Sequence, residues 1–462
     1  MSDQMICVGA CMSGVYVSNR RLAWASAALI VITLLLLWQM PSILKAIPSR
    51  YVARLPEPMQ ALGERGDGVS ILPTAAAPVN TALLLAESAM QTPAGAMSYP
   101  EPPTPTPFAA DPLSGEAASL PTAVPTNTPL PSPSPIPLPA AARLDGFRHQ
   151  FQTWNNCGPA TTAMALSYFG LNLDQAETAV YLKPSPEDRN VSPYEISRYV
   201  NEQTPYGALE RTNGTLAMIK RLVAGGFPVM IELGIEPPGE YRWLGWYGHY
   251  LLVVAYDDTQ KQFWVYDSWF GTSDRPMENA TVDGRILTYA DADNQWRQFN
   301  RNYIVFYRPE QQAELVDMIG DEMNDSVMWQ HSLAQARAEL GREPEDAFLW
   351  FNLGTSYVQL GQYEHAAAAF DQARAIGLPW RMLWYQFGLY EAYYQVGRHE
   401  DVLLLADVTL KDRPYFEESF YYRGLAQEAL GDVVAATNSF QRAADFNPGF
   451  QPAVEALARL RD

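Results

Sequence analysis

Sulfur and positive charge are both scarce in this chain. Three cysteines in 462 residues cannot build a disulfide scaffold. Two of them, Cys7 and Cys11, fall in the first dozen residues, and Cys157 stands alone after that. The 32 Lys and Arg are outnumbered by 51 Asp and Glu, for a net charge of −19. That balance excludes nucleic acid as a partner and argues against adhesion to anionic lipid. The five histidines, at 149, 249, 331, 365 and 399, show no metal-ligand spacing, and no phosphate-binding glycine loop occurs. No metal and no cofactor is expected.

What the chain does contain is strongly segregated. Residues 1–21 are a short tail. Residues 22–40, LAWASAALIVITLLLLWQM, are uncharged and nearly all apolar. At helical rise they span about 28 Å, close to a bilayer core, with Trp24 and Trp38 near the ends where interfacial aromatics belong. No small-residue cleavage site follows directly, so a single transmembrane signal anchor is expected. Met12 is an alternative start that would remove both early cysteines. Flanking Arg20, Arg21, Lys45, Arg50 and Arg54 do not fix the orientation, but the Pro-rich tract and the cysteine-poor body favour C-terminal domains outside the cytoplasm. Residues 41–142 read as a spacer. Its Pro, Thr and Ser runs, such as PTAVPTNTPLPSPSPIPLP, bury too little apolar surface to fold and suit an extended stalk.

From 143 to 308 the pattern is α+β. A short strand is expected at FRHQFQ, then a helix opening at Cys157 and helices near 173–182 and 193–203. The run TLAMIKRLVAGG reads as a helix ended by glycines. It leads to the strand PVMIEL and to three further strands at 248–257, 261–271 and 301–307, rich in Val, Tyr, Phe and Trp. Helices first and an antiparallel sheet after indicate segregated layers.

Cys157 sits in QTWNNCGPATTAMALSYFG, with Pro159 suited to the first turn of the helix. A thiol at a helix N-terminus meets the positive end of the dipole and unpaired N–H groups, both of which favour thiolate. A buried structural cysteine is the alternative. His249 opens one strand and Asp267 closes the next, so a hairpin would set imidazole against carboxylate. Thiolate as nucleophile, imidazole as base then acid, and carboxylate to orient the ring form a catalytic set. Gln152 is the candidate second oxyanion donor beside the Cys157 N–H. Trp243, Trp246 and Tyr247 line a narrow cleft or belong to the core. A lone His at a strand start and an Asp capping a turn have structural readings too, though Asp257 and Asp258 suit the cap better.

The motifs QTWNNCGPATTAMAL, GHYLLVV and YDSW resemble the bacteriocin-processing (double-glycine leader) cysteine peptidases. They are more similar still to stand-alone relatives of these with a CGPA motif, within the papain-like group. The resemblance covers about 145–308. It implies Cys157 as nucleophile, His249 as general base, Asp267 as orienting acid and Gln152 as oxyanion donor. The family carries its Gln six residues before the Cys, where this chain has Phe151; Gln152 at five is preferred here over Gln150 at seven. With no nucleotide-binding motif and no multi-span transporter, the exporter-linked leader-peptide role does not carry over. An inactive binding module and a cell-wall peptide amidase or transferase are the alternative functions.

Residues 309–462 are repetitive. Gly361, Gly397 and Gly431 recur at tetratricopeptide spacing. The first unit runs through Trp350, Leu353, Gly354, Tyr357, Ala366, Phe370 and Ala373, and the third through Phe420, Gly424, Ala436, Phe440, Ala443 and Pro448. These resemble the tetratricopeptide repeat, with small residues where helices cross and large ones between. The middle unit is degraded, with Val402 and Ala406 at the usual Ala and aromatic positions. A leading helix near 327–341 and a capping helix at 451–461 are expected. This region holds about 24 acids and 11 bases, so a protein partner, a basic one, is expected on the repeats. The expected whole is an α+β papain-like cysteine peptidase domain plus an all-α tetratricopeptide-repeat solenoid, behind a single N-terminal transmembrane helix. Its expected substrate is a peptide or protein.

Overall fold

The computed structural model describes residues 39–40, 71–74, 138–153, 155–185, 187–188, 190–236, 245–270 and 284–461. The expected membrane segment lies outside the described residues except for Gln39 and Met40. Among the described residues no helix is long and apolar enough to cross a membrane.

The first half is built on seven strands: β1 (Ala141–Arg143), β2 (Gly207–Arg211), β3 (Val229–Ile235), β4 (Tyr247–Asp257), β5 (Gln262–Asp267), β6 (Arg285–Thr288) and β7 (Tyr303–Tyr307). Their order is β2-β7-β3-β4-β5-β6, with β1 added to β4, and every pairing is antiparallel. Alternate residues of β4 serve opposite faces, as the strand period requires. Tyr250, Leu252 and Val254 join one core with helices α1 (Cys157–Ser167), α2 (Gln175–Leu182) and α3 (Pro193–Gln203). Leu251 and Val253 join the other with α4 (Leu216–Ala224) and α5 (Tyr289–Trp296). Helix α1 is buried along its whole length after Cys157, which explains its unbroken run of small and apolar residues.

The stretch FRHQFQ is not a strand. Its side chains and backbone are committed to other elements: Arg148 N–H donates to Ser167 Oγ, and Gln150 spans to Leu173 O and Gln175 N–H. The first strand is instead β1, just upstream.

The second half is helical: α6 (Gln312–Ile319), α7 (Asp325–Leu340), then the pairs α8 (Ala347–Gln359) with α9 (Tyr363–Ile376), α10 (Gly388–Gln395) with α11 (His399–Asp412), and α12 (Glu417–Ala429) with α13 (Val433–Phe446), closed by α14 (Gln451–Arg459). Small residues let the paired helices touch. A side chain at Gly354 would start 2.7 Å from the Phe370 ring, and one at Gly424 2.5 Å from Phe440.

The two halves are packed together. Arg301, just before β7, forms an ion pair at 2.6 Å with Glu339 of α7, both buried. Arg297 reaches Glu343 and Asp346 at 2.8 and 3.0 Å. Trp246 stacks on Phe299 and on Phe348 of α8. Of the aromatics at the entry to β4, Trp246 is therefore interface core. Tyr247 is half-buried beneath the Arg381 guanidinium at 3.9 Å, and Trp243 lies outside the described residues.

Candidate active site

Asn155 takes a left-handed backbone conformation (φ 58°), which Asn tolerates better than most side chains. It turns the chain into α1, whose first residue is Cys157. Lys183 fixes that turn, donating from Nζ to Asn155 O at 2.8 Å and to Asn156 Oδ1 at 3.3 Å. One turn along the helix, Thr161 Oγ donates to Tyr250 O at 3.3 Å. That bond fastens α1 to β4 one residue from His249.

Leu251 of β4 pairs with Asp267 of β5, so His249 is the diagonal neighbour of Asp267, within reach of an imidazole. His249 Nε2 lies 2.8 Å from Asp267 Oδ1, and the Cys157 thiol is the other side chain that acts on the imidazole. His249 and Asp267 are buried and Cys157 is half-buried. The Trp269 ring stands edge-on to the imidazole, 6.0 Å away.

The electrostatics follow from this placement. Burial pushes Asp267 up, but His249, Arg285 and the Phe270 N–H outweigh it and hold the carboxyl well below its ordinary range. Burial lowers His249, yet the charge and hydrogen bond of Asp267, with those of Cys157, raise it to about 9. Burial would raise Cys157; the hydrogen bond and charge of His249, the Tyr250 N–H and the Lys183 charge bring it below the ordinary thiol value. The net direction is toward a thiolate beside an imidazolium.

Gln152 lies on the loop leading to Cys157, and that loop is strapped to the end of β5. Its N–H donates to Ser268 O at 2.7 Å, while Ser268 Oγ donates to its side-chain Oε1 at 2.9 Å. With Oε1 engaged, Nε2 is the end of the amide that bonds to no described residue. Gln150, the alternative, spends both ends of its amide on the Leu173–Gln175 turn. Asp257 caps the β4–β5 turn through Thr259 and Gln260; Asp258 instead pairs with Lys220 at 2.8 Å.

Several residues at the site escaped the sequence reading. Arg285 donates twice to Asp267 Oδ2, at 3.1 and 2.8 Å, and His149 Nε2 lies 2.8 Å from the Asp267 carbonyl. Neither belongs to a motif. Glu232 is buried on β3 opposite Tyr250. Its signal was a carboxylate inside the otherwise apolar run PVMIEL. Burial raises it to about 8 despite the Asn302 amide, which donates at 2.7 Å. Lys183 and Ser268 act through backbone turns that no spacing rule exposes. Among the described residues no His, Cys, Asp and Glu group is arranged to hold a metal ion.

Residues 144–304 match the Peptidase_C39 like family. The C39-like domain is followed by a tetratricopeptide repeat matched at residues 347–377. A solved protein from Bacillus anthracis named as a C39-like peptidase is similar at 16% identity, covering 36% of this chain and 96% of its own, with a TM-score of 0.28. No curated protein matches the chain.

Proposed function

We propose that this chain is a membrane-anchored cysteine peptidase-like hydrolase that cleaves a peptide or amide bond. The observation that carries the proposal is the buried His249–Asp267 pair at 2.8 Å, beside a Cys157 thiol that His249 lowers. The C39-like match over 144–304 supports the same reading.

In the proposed reaction the Cys157 thiolate attacks the carbonyl carbon. The oxyanion is met by the first-turn N–H of Cys157 and by Gln152 Nε2. His249, protonated, gives its proton to the leaving amine as the C–N bond breaks, leaving a thioester on Cys157. It then takes a proton from water, which attacks the thioester and releases the acid. Asp267 keeps the imidazole in place throughout, and Arg285 keeps Asp267 ionised.

The repeats recruit or position a protein, and their acidic surface suits a basic one. The apolar 22–40 segment anchors the chain, with both folded halves outside the cytoplasm.

The first test is iodoacetamide labelling of the full chain across pH 4–9, with Cys157→Ser as the blank. Wild type should label with an apparent pKa well below 8, and His249→Ala should move it upward. Slow labelling that is identical in both proteins would defeat the thiolate–imidazolium reading. Failure to hydrolyse any member of a peptide and amide library, with labelling intact, would leave the pair standing but remove the hydrolase.

A further inference from the structure

A four-residue piece of the expected spacer is seated on the repeats. Ile71 forms an antiparallel bridge with Pro379, and the Leu72 N–H donates to Leu378 O at 2.9 Å. Pro73 O accepts from Arg374 Nε at 2.7 Å. Leu72 is 1% exposed and packs within the core of the repeats.

The receiving surface is built for this contact. Arg374 is fully buried, and its guanidinium is held by Tyr393 Oη at 2.9 Å and Asp401 at 3.3 Å, which aims Nε at the Pro73 carbonyl. After α9 the chain turns at Gly377, with φ at 123°, a backbone few other residues adopt. The extended Leu378–Pro379 that follows presents main-chain groups rather than another helix. Ile71 covers Gly377, its methyl 3.6 Å from where a side chain there would begin. Main-chain hydrogen bonds plus a pocket for one side chain is how extended peptides are recognised at a strand edge. Here the edge belongs to a helical repeat.

We infer that the Arg374–Pro379 groove is a peptide-docking site that recognises an extended apolar segment with Leu followed by Pro, and that Ile71–Thr74 of the same chain occupies it. The consequence is topological. Residues 75–137 join two anchored ends, the dock at 74 and the β1 sheet entry at 138–143.

If the 22–40 segment is the anchor, only residues 41–70 separate it from the body. That is 30 residues, against 97 for the whole tract to 137. The dock thus shortens the length of chain between the anchor and the folded halves. It rests on contacts outside the candidate active site, so it stands or falls independently of the hydrolase reading.

The test is a spin-label distance measurement on the detergent-solubilised full chain, with Cys7, Cys11 and Cys157 replaced by serine and Thr74→Cys and Gln441→Cys labelled. One narrow distance is expected, broadened by Leu72→Asp with helical content unchanged. A broad distribution without Leu72→Asp would overturn the docking. A narrow distance that survives Leu72→Asp would overturn Leu72 as its recognition element. The same narrow distance between singly labelled chains mixed together would place the segment on a second copy and overturn the assignment to its own chain.

Discussion

In the proposed reaction, Gln152 and Asp267 act on different states of the site. Asp267 acts in the resting protein: by holding His249 charged it lowers the thiol. Gln152, as proposed, acts only when charge develops on the carbonyl oxygen. Gln152→Ala should therefore lower kcat by about 10²–10³-fold while leaving the pH profile of iodoacetamide labelling unchanged, since alkylation forms no oxyanion. Asp267→Asn should do the reverse to the profile, raising the apparent thiol pKa as well as lowering kcat by up to about 10⁴-fold. Equal labelling shifts in the two variants would contradict this division. Arg285 belongs with Asp267, because its guanidinium binds the carboxylate oxygen that His249 does not use.

At the scale of elements, the glycines at the helix crossings are the most exposed to test. A methyl at Gly354 or Gly424 must displace a buried phenyl ring, and overpacking of this kind costs about 1–3 kcal/mol. Gly354→Ala and Gly424→Ala should each lower the unfolding free energy by that amount, read as a lower urea midpoint at unchanged slope, and an alanine at Gly361, where no described atom lies within 4 Å, tests backbone strain alone. These crossings were legible in the sequence because a small residue facing a large one recurs with the repeat. The helix at Cys157, α3, α4 and the strands β3, β4, β5 and β7 were legible from apolar runs and caps. β2 and β6 were not. Gly207–Arg211 is short and half polar, and Arg285–Thr288 alternates its exposure without a long apolar signal. FRHQFQ misled for the opposite reason: its aromatics alternate as in a strand, but they pack as a loop, Phe147 on Tyr168 and His149 on Phe151. Of the site, the residues carried by motifs were readable, whereas Arg285, Lys183 and Glu232 are brought in by tertiary contact.

At the scale of the whole molecule, the two halves meet across buried acids. Asp188 and Glu195 of the C39-like domain and Glu417 and Glu418 of α12 are all buried and feel one another's charge. Among the described residues, one oxygen of Glu417 and one of Glu418 find no hydrogen-bond partner. Lys183 and Arg198 offset part of this charge, yet burial and mutual repulsion still raise Glu195 to about 7 and Asp188 and Glu418 well above their ordinary values. A carboxyl raised on folding contributes stability that is complete below its unfolded pKa and is lost as pH rises through its folded one. His249, raised to about 9, contributes stability complete below about 6.5 and lost as pH rises through 9. Asp267 runs the other way, but its loss comes only in acid, below about 3.8. Between pH 6 and 9 the raised groups therefore act in one direction, the lowered Cys157 thiol partly offsets His249, and the buried carboxyls set the slope. The melting temperature of the full chain should fall across that window, roughly 2–4 °C for each kcal/mol lost. Glu418→Gln should flatten the slope and raise the melting temperature at pH 8, because it removes a buried charge at the junction and keeps the shape. His249→Ala should flatten only the alkaline end. With the buried Arg301–Glu339 pair and the Trp246 stack spanning the same junction, the halves should melt in one transition. Two separate transitions, or a melting temperature that rises from pH 6 to 9, would mean that these carboxyls do not face each other across a closed interface.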